Sequence, residues 1–198
     1  MKTLKVSSNQ YPKHKEALVF DFPIVARSRS QLGTPLDGRY GAMDPLQLQA
    51  AIASLSKLVD LNDIDYVIGI PEGGIAPAYE FASSCGLKLI LASHSEPAKM
   101  DAIKFIEPHS YPDRSAKYIY GLKKGDKVIV VEDEVTTGKT IINCVNSLRN
   151  AGVICEDVVT IYCADDASIF EKVTSENIRL SYLWQFNKKI VGEHSDCP

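Results

Sequence analysis

The alternation of apolar and polar positions sets in gradually along the chain. Residues 1–18 are polar and suit a surface path, and ALVFDFPIVA (17–26) has the β-branched and aromatic content of a strand or two. RSRSQLGTPLDGRYGAMD (27–44) is loop-like, and its length points to a binding role rather than a plain connection. A helix follows: Asp44 caps it, Pro45 suits its first turn, and Leu48, Ile52, Leu55 and Val59 fall on one face with Ala51 beside them, ending near Asp60. DYVIGI (65–70) reads as a short buried strand, PEGG (71–74) as a tight turn, IAPAYEFASSCG (75–86) as a helix closed by Gly86, and LKLILAS (87–93) as the next strand. Residues 94–120 are the least regular, with the bases Lys99, Lys104, Arg114 and Lys117. There IKFIE and KYIYG suit the strands of a hairpin, with 94–117 a long, flexible arm. GLKKGD (121–126) is a turn. Strand KVIVVED (127–133), a helix over 140–150, strand ICEDVVTIYCA (154–164), a helix over 166–176 and strand IRLSYLWQF (178–186) complete the order.

Strand, glycine turn, helix and strand at this spacing imply crossover units, hence an α/β fold with a mostly parallel sheet flanked by helices. Ligands of such sheets sit at the carboxyl ends of the strands. Two loops leave strands at that edge, 69–74 and 132–140.

Size and composition narrow the reading. The chain has 198 residues, 45% of them hydrophobic, enough for a single domain over 1–198. Residues 1–43 and 178–198 are left as a small hood or peripheral elements. The formal net charge of -3 and the lack of a Lys/Arg run disfavour a nucleic-acid partner. The five cysteines show no C-x-x-C spacing, which suits reduced thiols in the cytoplasm. No signal-peptide core opens the chain and no apolar run approaches membrane-span length, so no membrane partner is expected.

The densest chemistry is VIVVEDEVTTGKT (128–140). A Walker A loop would need glycine at position 133, where this chain has aspartate. Backbone N–H groups at Thr136, Thr137, Gly138, Lys139 and Thr140, at a helix start, can instead ring a lone phosphate. Glu132 and Asp133 just upstream suit vicinal hydroxyls. Strand alternation alone would send these two to opposite faces, and only a twist would bring both to one ribose. The plainer alternative is a solvated strand end carrying helix-capping acids. Glu72, Gly73 and Gly74 form a second short loop able to present amides to an anion, or simply to enter a helix. His94 and His109 are not spaced as a metal pair, and no residue is assigned as a metal ligand.

VIVVEDEVTTGKT resembles the phosphoribosyl-pyrophosphate signature of the type I phosphoribosyltransferases, and DYVIGIPEGGIAPAYEFA is similar to that family's pyrophosphate loop and following helix. The resemblance spans about 44–165. It implies a type I phosphoribosyltransferase fold with a hood and a flexible arm. It implies an enzyme that uses magnesium and phosphoribosyl pyrophosphate to ribosylate a nucleobase, and a homodimer. Glu132 and Asp133 would hold the ribose hydroxyls, and 136–140 the 5′-phosphate. Residues 70–74 would meet pyrophosphate, with a strained or cis peptide among them, and an arm base such as Lys99 would reach it too. The pattern is broken in three places. Glu134 replaces an apolar residue, Thr136 replaces the aspartate of the hypoxanthine-guanine branch, and Ser93-His94-Ser95 stands where an arginine-lysine pair is usual. The N-terminal order through Asp44-Pro45 favours an adenine-type acceptor, whereas Thr136 and the C-terminal stretch favour orotate. A non-catalytic regulator that binds phosphoribosyl pyrophosphate is the remaining alternative.

Overall fold

The centre of the molecule is a five-stranded, wholly parallel sheet. The structure is a computed structural model and describes residues 25–28, 31–37, 41–96, 101–108 and 115–186. The sheet's strands are β3 (Tyr66–Gly69), β4 (Lys88–Leu91), β7 (Lys127–Val135), β8 (Ile154–Ala164) and β9 (Arg179–Phe186), in the order β4-β3-β7-β8-β9. Val67, Ile68, Val128–Val131, Val158, Val159 and Ile161 are buried, as expected for parallel strands covered on both faces.

Among the described residues four α-helices flank the sheet: α1 (Pro45–Leu55), α2 (Ile75–Cys85), α3 (Lys139–Asn150) and α4 (Ala167–Ser175). The Asp44 carboxylate caps α1 by accepting from the Leu46 N–H at 2.9 Å. Leu48, Ala51, Ile52 and Leu55 are its buried face, as the periodicity predicts. The α-helix is shorter than predicted. It gives way at Ser56 to a 3-10 turn over Ser56–Leu58, where the Ser56 hydroxyl donates to the Ala53 carbonyl. Gly86 closes α2 in the left-handed conformation.

Two short hairpins lie outside the main sheet. β1 (Val25–Ser28) and β2 (Gln31–Gly33) pair antiparallel; β1 begins in the stretch expected as strand, 17–26, and β2 lies inside the segment that the sequence marks as loop. A strand of three residues in polar text carries too little alternation to be recognised. The expected strand content at 17–24 lies outside the described residues. β5 (Ala102–Ile106) pairs antiparallel with β6 (Ala116–Tyr120), the hairpin the sequence suggests. Its base is anchored rather than loose: Phe105 and Ile119 are buried in the core, and the Asn143 side chain of α3 donates to the Ile106 carbonyl at 2.8 Å. Lys99 and Arg114 of the arm, and residues 1–24 and 187–198 of the segments expected as hood or peripheral elements (1–43 and 178–198), lie outside the described residues. Residues 179–186 are an edge strand of the main sheet. No helix among the described residues is long and apolar enough to cross a membrane.

Candidate active site

The sheet order places β3 and β7 side by side, so the loops that leave them meet at the carboxyl edge. The β3 loop turns sharply through Ile70-Pro71-Glu72-Gly73-Gly74 into α2. The Pro71–Glu72 peptide is cis, in the stretch where such a bond was expected. The Ile70 N–H donates to the Val131 carbonyl of β7 at 3.3 Å, and the Ile75 N–H to the Glu72 carbonyl at 3.2 Å. Gly69 lets α2 pack closely, since a Cβ there would sit 2.7 Å from the Ala78 Cβ and 2.7 Å from a Leu91 methyl.

β7 runs two residues further than the sequence suggests, because Glu134 and Val135 stay in register with Tyr162 and Cys163 of β8. Even so, the two acids converge. A Cβ on Gly73 would collide with the Asp133 carboxylate, and a Cβ on Gly74 would lie 3.2 Å from the Glu132 Oε1. Both carboxylates therefore face the Gly73-Gly74 turn, and the glycines are what make room for them. Glu132 is buried, and its Oε1 accepts from the Asp133 N–H at 3.1 Å. Burial, then the charge of Asp133 and a hydrogen bond with it, hold the Glu132 carboxyl well above the ordinary carboxylate range. Glu107 on the hairpin adds to that push.

Beyond the acids, Thr136 is buried and Gly138 takes the left-handed conformation at φ 75°, a turn that favours glycine. Gly138 is the N-cap of α3 and no side chain caps it. The N-terminal turn of α3 is therefore left without a side-chain cap, at the positive end of the helix dipole. Glu134, Val135, Thr136, Thr137, Gly138, Thr140 and Ile141 line a small open concavity there. The Lys139 N–H donates to the Thr137 hydroxyl at 3.4 Å, and the Lys139 side chain is exposed.

Two groups were not legible as a site. Lys117, one of the four arm bases, is fully buried and pairs with Glu107 at 2.5 Å across the hairpin. Glu72 is exposed on its turn and has the His94 Nε2 4.0 Å from its Oε1. Neither pairing has a local spacing signal: Glu107 and Lys117 meet through the register of the hairpin, and Glu72 and His94 sit on separate elements. Trp184 and Tyr162 form a tilted ring pair with centroids 5.6 Å apart. Tyr162 lies in the field of Asp133 and Glu134, and burial first, then those two charges, push its hydroxyl pKa upward.

The fold and the sequence both have counterparts among known proteins. The model of the phosphoribosyl transferase family matches residues 34–181, and the chain belongs to that family, as a type I member. A hypoxanthine/guanine phosphoribosyltransferase of Methanobrevibacter ruminantium is 30% identical over 138 residues, covering 69% of this chain and 73% of the relative. Another from Methanosarcina barkeri is 28% identical over 127 residues, spanning 64% of this chain and 66% of that protein's length. The solved structure of an APRTase from Giardia lamblia with 9-deazaadenine has a TM-score of 0.66 at 17% identity. It covers 84% of this chain and 94% of that one, a likeness of fold.

Proposed function

We propose that this chain transfers the phosphoribosyl group of phosphoribosyl pyrophosphate to a ring nitrogen of a purine, with adenine as the first acceptor to test, and releases pyrophosphate. The observation that carries the reading is the convergence of Glu132 and Asp133 on the Gly73-Gly74 turn, beside the uncapped start of α3, in a member of this family. The start of α3 takes the 5′-phosphate, through backbone N–H groups and the Thr136, Thr137 and Thr140 hydroxyls. Glu132 and Asp133 accept from the ribose 2′ and 3′ hydroxyls, and the 70–74 turn holds the pyrophosphate end. The acceptor nitrogen forms its bond to C1 as the bond from C1 to oxygen breaks. The electron pair leaves on pyrophosphate, and the acceptor's proton passes to solvent. Carboxylates near C1 stabilise the positive character that develops there.

Magnesium fits this donor set. It binds through one or two carboxylates with phosphate oxygens and water completing its shell. Glu132 and Asp133 face the turn and Glu72 lies on it, and of these Asp133 and Glu72 would hold the ion; no cluster of three metal-binding side chains occurs among the described residues. When bound, it neutralises the pyrophosphate and eases its departure.

Hypoxanthine or guanine is the second acceptor reading, favoured by the names of the archaeal relatives. Thr136 offers no carboxylate to such a ring, which keeps adenine ahead. Pyrophosphate release with magnesium and phosphoribosyl pyrophosphate should be measured against adenine, hypoxanthine, guanine, xanthine, uracil and orotate. Release with adenine supports the assignment; release only with hypoxanthine or guanine moves the acceptor. Release with orotate alone overturns the purine reading, and none with any base, despite ligand binding, points to a non-catalytic protein.

A further inference from the structure

The inward face of the β5–β6 hairpin carries one residue that its pattern does not call for. Register pairs Ile103 with Ile119 and Phe105 with Lys117, so these four side chains share a face, and Phe105 and Ile119 on it are buried in the core. Alternation asks for an apolar residue at position 117. The chain places a lysine there, fully buried and the only buried cation among the described residues. An ammonium taken out of water is costly, and apolar side chains in place of a buried ion pair are often neutral or stabilising. Stability alone therefore gives no reason for this lysine.

The surroundings of its partner show where the charge is used. The ammonium meets the Glu107 Oε2 at 2.5 Å, and the Glu107 N–H donates to the Ser115 carbonyl at 2.8 Å, so carboxylate and backbone are both tied across the hairpin. The preceding carbonyl, that of Ile106, accepts from the Asn143 side chain at 2.8 Å. Asn143 lies within one turn of Thr140, which holds Glu107 near the start of α3. Unlike the lysine, Glu107 keeps 23% of its side chain exposed. Its charge reaches Glu132 on β7, where it adds to the push on that acid. A third carboxylate thus stands beside Glu132 and Asp133, at a site that has to admit a highly anionic ligand.

We propose that Lys117 is a positioning residue of the substrate site: it holds the Glu107 carboxylate and cancels its charge, so that the substrate's phosphates pass a neutral pair rather than a third acid. The inference rests on the phosphoribosyl-pyrophosphate reading above and adds to it a residue that touches no ligand. Lys117 acts only through Glu107, because its own side chain is closed to solvent. The effect is electrostatic, and no bond forms or breaks in it.

The test titrates phosphoribosyl pyrophosphate with magnesium into the wild type, K117M and the double variant K117M/E107Q, at low and at high salt, with melting curves on the same samples. In K117M the Glu107 charge is uncompensated but can still turn to water, so the variant folds while its affinity falls about tenfold at low salt. The loss relative to wild type shrinks at high salt, because the repulsion is screened. The double variant carries neither charge and binds within about twofold of wild type. If K117M does not fold, the double variant decides alone: affinity near wild type supports the proposal, and a loss of about tenfold overturns it. A loss in K117M that salt leaves unchanged, or that persists in the double variant, marks a packing role and overturns the proposal, as does wild-type affinity in K117M. In each of these cases the parent reading stands, because the wild type still binds. A wild type that binds no phosphoribosyl pyrophosphate at either salt overturns both.

Discussion

Glu132 meets two opposed demands. Its burial beside Asp133 favours the neutral acid, while a grip on ribose hydroxyls favours the carboxylate. The folded-state pKa lies above the unfolded value of about 4.3. The folded protein therefore holds a proton that the unfolded chain has lost, and stability declines as pH rises from that value through the raised one. Glu132→Gln removes this decline, and its amide oxygen can still accept from the Asp133 N–H. The variant should melt higher than wild type at pH 8, by roughly 2–4 °C for each kcal/mol gained, and the gap should close toward pH 4. Its kcat/KM should fall by about tenfold or more. Melting curves across pH, with kinetics on the same samples, decide it: a variant less stable at pH 8 contradicts the account of the buried acid. At this scale the sequence was informative where neighbours in the chain are neighbours in space. Glu132, Asp133 and Thr136–Thr140 form one continuous strand and turn, and their adjacency could be read from order alone, whereas the convergence of the two acids could not. The Lys117–Glu107 pair and the approach of His94 to Glu72 depend on how the hairpin and β4 pack, which no local pattern encodes.

The two glycine positions of the β3–α2 turn behave differently under the same substitution. At Gly73 an added methyl meets the Asp133 side chain, which can swing away. At Gly74 it meets the Ile70 carbonyl, which is backbone and fixed. Gly73→Ala should therefore fold with a melting temperature close to wild type and lose about tenfold or more in affinity for phosphoribosyl pyrophosphate, because the acid is displaced. Gly74→Ala should lose stability first. Thermal melting and ligand titration of the two variants separate these outcomes. Equal affinity in Gly73→Ala would mean that Asp133 does not work from its position against the turn. Elements with strong periodicity, such as α1 and the runs 127–133 and 154–164, were legible in advance. Of the β1–β2 hairpin only the start of β1 was, because three residues such as β2 in polar text look like loop. β7 also outran its expected end, since pairing with β8 extends the strand into residues whose side chains are acidic.

Across the described residues, one arrangement brings the separate motifs together. The strand order β4-β3-β7 aligns three loop exits on a single edge. His94, the 70–74 turn, the acid pair and the start of α3 follow one another there. The parallel sheet was readable from alternating strand and helix signals, but the order of strands was not, because crossovers of similar length permit several neighbours. The central claim is that this edge holds phosphoribosyl pyrophosphate with its magnesium, and calorimetric titration of that ligand with and without magnesium tests it most directly. The account predicts saturable binding that tightens with magnesium and a matching rise in melting temperature. No heat and no thermal shift at millimolar ligand would contradict it.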